Sequence, residues 1–327
     1  MTMTRRQIAG ALAAVSMLSL GSAAMAADYP TKRITIIVPY SAGGSTDILA
    51  RQVADGMTQV LGETVTVENR PGAGATLGTT MAAKARPDGY TLFMGQVSSH
   101  GIAPAVYKNL QYDAVADFAP IKLLISIPNV MVVNKDSPYQ TAAEFLDAAK
   151  EGNKTFGSSG VGSSIHLSGE MFKARTGAQM THVPFRGSGE AVPALLAGDV
   201  DVMFDNLPSA MPHIQSGALR ALAVTTPARS DQLGDVPTLD ELDISELDGF
   251  AARSWFGLLA PAGTDPEIVA TLSDALDQVI ATEGFTSFAA TRGAQIEGGS
   301  PEDFAAYIDS ELSNWKTVVD EAGVTVE

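Results

Sequence analysis

Strand-like and helix-like segments alternate almost without interruption along this 327-residue chain, which restricts it to layered α/β architectures. Residues 34–38 form a short β-branched run of the kind buried in a parallel sheet. The period then changes. Leu49, Val53, Met57 and Val60 recur three or four apart, one face of a helix that ends before Gly62. Residues 64–67 give a second strand, 75–85 a helix after a Gly-rich turn, and 91–94 a third strand. The rhythm resumes near residue 130, with strands expected at 130–133, 154–156, 180–183, 200–204 and 219–225. Helices are expected between them at 141–150, 163–175 and 189–197. A strand at 254–259 and helices at 266–280 and 301–320, each with proline at its start, complete the pattern. Two βα runs without a flexible linker predict two lobes joined by strands that cross near 129–134 and 253–260. The first lobe is expected to comprise residues 28–130 plus 253–327, and the second 131–252.

Residues 1–27 are expected to be an export signal, removed from the working protein. Arg5 and Arg6 start it, residues 8–20 are apolar, and Ala24 and Ala26 occupy the positions a signal peptidase reads. The apolar stretch is too short to cross a hydrocarbon core of ~30 Å, which weighs against a retained anchor. The paired arginines leave both the ordinary and the twin-arginine export routes open. Without them the chain carries 19 Lys+Arg against 37 Asp+Glu, a net charge of −18. So acidic a surface argues against nucleic acid and anionic lipid as partners. It does not exclude an anionic ligand, because a cleft can hold local positive potential inside a negative protein. There is no cysteine, which removes disulfides, zinc–thiolate sites and thiol catalysis together.

Ligands of open α/β sheets sit beyond the carboxyl ends of strands, where loops lead into helices. Three such loops share one character: residues 40–47 (YSAGGSTD), 157–166 (GSSGVGSSIH) and 185–189 (FRGSG). Glycine lets the backbone approach a ligand closely, and each following helix start supplies free N–H donors and partial positive charge. Such loops bind anions without a lysine. The candidate residues are therefore Tyr40, Ser41, Ala42, Gly43, Gly44, Ser45 and Thr46 in the first, and Ser158, Ser159, Gly160, Ser163, Ser164 and His166 in the second. Several have structural alternatives. Ser45, Thr46 or Asp47 also suit helix capping, and Asp47 suits loop bracing best. His166 either faces the cleft or braces its loop, and Asp205 lies at a strand end or in a turn.

Enzymatic readings fail on the same residues. Neither Gly157-Ser158-Ser159-Gly160 nor Gly187-Ser188-Gly189 matches a nucleophile elbow. Residues 72–78 (GAGATLG) are one residue too long for a dinucleotide fingerprint and suit a tight loop that packs a helix on the sheet. His166 and Glu170 have the i, i+4 spacing of a metal pair but no third ligand nearby. No catalytic residue, metal site or cofactor is expected.

Eight segments together resemble the substrate-binding receptors of tripartite tricarboxylate transporters, the Bug receptors. They are residues 36–47 (IIVPYSAGGSTD) with Ala50-Arg51, 67–74 (VENRPGAG), 87–91 (PDGYT), 160–166 (GVGSSIH), 182–187 (HVPFRG), 196–205 (LAGDVDVMFD), 219–224 (LRALAV) and 255–263 (WFGLLAPAG). They run in order through nearly the whole chain after residue 27. The resemblance implies a two-lobed, type II-like periplasmic-binding-protein fold, each lobe a mixed sheet flanked by helices, with two crossing strands and hinge closure. It also implies that a carboxylate is held by residues 40–46, Ser98 and Ser99, residues 158–166 and Asp205. Ala42 stands where some relatives carry proline. Arg186 is the nearby cation, placed either on a second carboxylate or on an acid outside the cleft.

The expected protein is thus a periplasmic, monomeric receptor for a small mono- or dicarboxylate, with the membrane permease subunits of such a transporter as partners. A sensor subunit passing its closed state to a signalling partner is the alternative, ahead of an enzyme acting on a carboxylic acid.

Overall fold

The computed structural model describes residues 29–322 and 324, so the expected export signal lies outside the described residues. The β-branched run forms strand β1 (Ile34–Val38), with β2 (Val65–Asn69) and β3 (Thr91–Gln96) parallel to it on either side. Helix α1 (Ser45–Leu61) buries Leu49, Ala50, Val53, Ala54 and Met57 along one stripe. It stops at Gly62, whose left-handed φ of 73° lets its N–H return to the Thr58 carbonyl. Helix α2 (Thr76–Ala83) precedes β3, and a π-helical turn (Ser98–Ile102) and short α3 (Ala103–Val106) follow it.

Strand β4 (Phe118–Asn134) organises the molecule. Its first part pairs antiparallel with β9 (Arg253–Pro261) and β10 (Gln295–Gly298). Since β9 also pairs with β3, the first sheet runs β2-β1-β3-β9-β4-β10. The last residues of β4, from Asn129 onward, pair instead with β7 (Val202–Asn206) and β8 (Leu219–Val224). With β5 (Lys154–Ser158) and β6 (Met180–Pro184) parallel beside β7, the second sheet runs β6-β5-β7-β4-β8. The architecture is the two-lobed mixed α/β fold expected, each sheet flanked by helices.

The sequence expectation missed most of β4, because Pro120 and Pro128 argue against a central strand. Register shifts between Pro120 and Lys122 and between Leu123 and Ile125 absorb the irregularity. The remaining helices are α4 (Ala142–Glu151), α5 (Ser164–Thr176), α6 (Ser188–Ala197), α7 (Leu207–Gln215), α8 (Pro266–Ile280), α9 (Glu283–Thr291) and α10 (Pro301–Ala322). Helix α7, α9 and β10 were also unforeseen, and the prolines at 208 and 212 hide the helical period of α7.

Three apolar clusters hold the layers. One lies under α1 and α8, another under α6 and α7. The third is continuous across both lobes, joining Phe93 and Trp255 to Phe156, Phe172 and Phe204, with Phe304, Ile308, Trp315 and Val319 of α10. A single carboxylate oxygen, Glu311 Oε2, accepts from both indole N–H groups, at 2.8 Å from Trp255 and 3.0 Å from Trp315. It thereby ties α10 to β9. Glu311→Ala leaves both indole N–H groups without that partner, and we expect a loss of about 3 kcal/mol in urea unfolding, with Glu311→Gln losing less.

Candidate functional site

The carboxyl ends of β1, β3, β5 and β7 all open toward the gap between the sheets, and the loops there meet across it. Ser41 N–H donates to the Arg186 carbonyl (3.0 Å). Ser164 N–H donates to Ser98 Oγ (3.0 Å), and Ser209 N–H to Ser45 Oγ (3.0 Å). Each bond joins one lobe to the other, so the structure is the closed arrangement. Helices α1 and α6 start at Gly44 and Gly187, neither of which supplies a side-chain cap, so their first-turn amides have no side-chain acceptor. Helix α5 is capped by Ser163, which accepts from His166 N.

Within the first loop, Ser45 and Thr46 are buried in the first turn of α1, whereas Ala42 and Gly43 are exposed at the rim. Gly44 packs against Ser188 of the opposite lobe. Asp47 accepts from Gly43 N, Asn69 and, through both oxygens, Arg51, so it braces the loop. Those bonds hold its carboxyl below the usual range against the opposing effect of burial. Ser99 Oγ is occupied by Gln96 and His100, and so stays within its own lobe.

In the second loop, Ser158 Oγ lies 2.6 Å from His182 Nε2 and also receives Gly160 N–H. His166 receives Gly162 N–H on Nδ1 and its ring lies 4.0 Å from the His182 ring at a 33° tilt, with Phe156 stacked on both. Burial holds His166 down at about 3 and His182 at about 4. Both rings are neutral near pH 7, so the 3.7 Å approach of His166 to Glu170 is not an ion pair. His166 therefore braces its loop.

Two expected ligand contacts are placed differently. The Arg186 side chain is 69% exposed and pairs with Glu190 at 3.0 Å, so only its backbone serves the gap. Asp205 is 0% exposed and its oxygens are taken by Ser188 (2.5 Å) and Ser209 (2.6 Å). Burial raises its carboxyl to about 6 against those two bonds. Since Ser209 also meets Ser45 at 3.0 Å, Asp205 anchors a chain of hydroxyls across the gap rather than its rim.

The sequence reading missed a second seam. Gly74, read there as helix-packing chemistry, adopts φ 57° and lies against the opposite lobe. A Cβ on Gly74 would stand 1.8 Å from the Val161 carbonyl oxygen, and one on Gly160 would stand 3.1 Å from Gly74 Cα. Tyr107 Oη reaches both Val161 O (2.7 Å) and Ala73 O (3.0 Å). The GAGA pattern was the visible signal, since only glycine tolerates that approach. Nothing in the sequence singled out Tyr107.

The sequence profile of the tripartite tricarboxylate transporter family receptor matches residues 49–324. The chain is 35% identical to protein BugT of Bordetella pertussis over 306 residues, covering 91% of this chain and 92% of that one. Among solved structures it is similar to periplasmic binding protein BugD, at 34% identity and a TM-score of 0.88 over 91% of this chain and 100% of that one. An R. palustris protein solved with adipate matches at 34% identity and a TM-score of 0.87, over 91% of this chain and 99% of that one. Among the described residues no helix is long and apolar enough to cross a membrane, and no cluster of metal-ligating side chains occurs.

The geometry makes two predictions. Gly74→Ala should fold, yet small-angle scattering should report lobes farther apart than in the unmodified protein; an identical curve would show that the loop yields. The second concerns acid. In the folded protein His166 and His182 refuse the protons that an unfolded imidazole takes near pH 6.5, so stability falls as pH drops from about 6.5 toward 4. Asp205, raised to about 6, acts oppositely: its contribution is full below the unfolded value and fades as pH rises through 6. His182→Gln should flatten the acid-side decline in chemical denaturation between pH 6.5 and 4, and an unchanged slope would contradict the assignment.

Proposed function

This chain belongs to the tripartite tricarboxylate transporter receptor family, and we propose that it captures a small organic carboxylate between its lobes and delivers it to a membrane transporter. Its relatives are solute-binding receptors, and it is a binding protein rather than an enzyme. The observation that carries the carboxylate reading is the pair of uncapped helix starts, α1 and α6, that face each other from opposite lobes. Their free amides and partial positive charge suit an anion, and the nearest guanidinium groups, Arg51 and Arg186, are spent on Asp47 and Glu190. The adipate held by a relative of the same fold supports the same class of ligand.

The site of capture we propose comprises the residues 40–46 loop, Ser98, the 158–164 loop and the start of α6, with Asp205 and His166 holding those parts in place. Residues 28–130 with 253–327 form one closing body and 131–252 the other. Closure completes the second set of donors and excludes water. A ligand favours that state only by its greater affinity for it. The leader-like residues 1–27 support export to the periplasm, where the closed form meets the permease subunits.

A thermal-shift screen of organic acids tests this reading. An acid present at 100 times its Kd should stabilise the protein by about 2.7 kcal/mol. If no mono-, di- or tricarboxylate shifts the melting temperature, the reading fails.

A further inference from the structure

Three buried polar atoms at the closed gap have no hydrogen-bond partner: Tyr40 Oη, Ser41 Oγ and Gln96 Nε2. Tyr40 is 5% exposed and Gln96 2%, so water does not serve them from outside. An unmet buried donor is costly, and such groups persist in native proteins where something else meets them. Two of these groups stand side by side. Strands β1 and β3 pair in parallel with Ile37 opposite Phe93, and continuing that register past the sheet edge sets Tyr40 opposite Gln96. The phenol lies beside the side chains of Gln96, Ser98 and Ser159, the last from the opposite lobe, although none reaches good hydrogen-bond geometry with it. Burial raises the phenol above its ordinary value, so Tyr40 keeps its proton and can donate it.

Gln96 is also held in place. Its backbone N–H and carbonyl both meet Ser99 Oγ, at 3.2 and 3.0 Å, which pins the residue at the end of β3. Ser98 Oγ accepts from Ser164 N–H, so its own proton is free to point toward the phenol. The cluster then consists of neutral groups with protons to give: a phenol, a carboxamide and hydroxyls. It lacks a cation to pair with a charge and a carboxylate to receive an ammonium.

We propose that Tyr40 and Gln96 form an uncharged donor subsite that reads an oxygen acceptor on the ligand, a second carboxylate, and rejects a methyl or an ammonium at that place. The inference rests on the carboxylate reading above and specifies what the remainder of the ligand must present. Neutral donors suit this task because a site built to hydrogen-bond an oxygen leaves its own buried groups unpaired when the oxygen is missing.

The experiment uses isothermal titration of the chain without residues 1–27 against two matched sets. One is succinate, butanoate and 4-aminobutanoate; the other is adipate, hexanoate and 6-aminohexanoate. Tyr40→Phe removes only the hydroxyl, and Gln96→Leu is a near-isostere without donors. The unmodified protein should prefer a diacid over its methyl-ended partner by roughly tenfold or more. Each variant should lose most of that preference by weakening the diacid several-fold more than the monoacid. Gln96→Glu should weaken the diacid further and improve the amino acid relative to it. Diacid binding with preference unchanged in Tyr40→Phe and Gln96→Leu overturns the subsite alone, as does equal weakening of diacid and monoacid. Failure of the unmodified protein to bind any acid of the two sets or of the thermal screen overturns the carboxylate reading and the subsite with it.

Discussion

The molecule turns on a knot around Asn129, a side chain with 0% exposure where β4 leaves one sheet for the other. Its carbonyl accepts from Thr225 N, and its own N–H donates to Thr225 Oγ1, while Thr225 in turn bonds Ala252 where the chain returns to β9. The Asn129 side chain receives Asn206 and Ser254 on its oxygen and donates to Ser168 through its nitrogen. Both passages of chain between the lobes are thus fastened to one another at a point where every polar group is satisfied. The loops at the far side of the gap meet in one register, and the bonds donated by Ser41, Ser164 and Ser209 N–H each cross it at 3.0 Å.

That register sets a donor-rich gap inside a strongly acidic protein. Carboxylates near the gap are engaged locally: Asp47 by Arg51 and amides, Glu190 by Arg186, and Asp205 by the Ser188 and Ser209 hydroxyls. What remains facing inward is peptide N–H, hydroxyl and the Gln96 carboxamide. The braces at Asp47 and His166 hold the loops that carry these dipoles, which limits the reorganisation left for a binding step. The paired histidine rings behind the second loop belong to this bracing, since His182 meets Ser158 Oγ and His166 accepts Gly162 N–H.

Much of this was legible in the chain. The β-branched run at 34–38, the Leu49-Val53-Met57 stripe and Gly62 fixed the first βα unit because local period and capping chemistry agreed. Loop composition located the gap, since glycine and serine beside helix starts have few other physical reasons to recur three times. Less legible were features that depend on what lies opposite. Arg186 and Asp205 had the right neighbourhood, but their orientation depends on Glu190, Ser188 and Ser209, partners whose choice the sequence leaves open. Gly74 and Tyr107 act only against Val161, far away in the chain, and β4 was hidden by prolines that bulges accommodate.

Tyr107 has one proton for two carbonyls, one on each lobe. When the halves separate, the hydroxyl loses Val161 but keeps Ala73, so parting strands no donor. The seam is therefore a toggle rather than a lock: it tightens the shut form without imposing the full cost of a broken bond on release. In a solute-binding receptor, whose two lobes meet over the bound solute, such a fastening lets go cheaply.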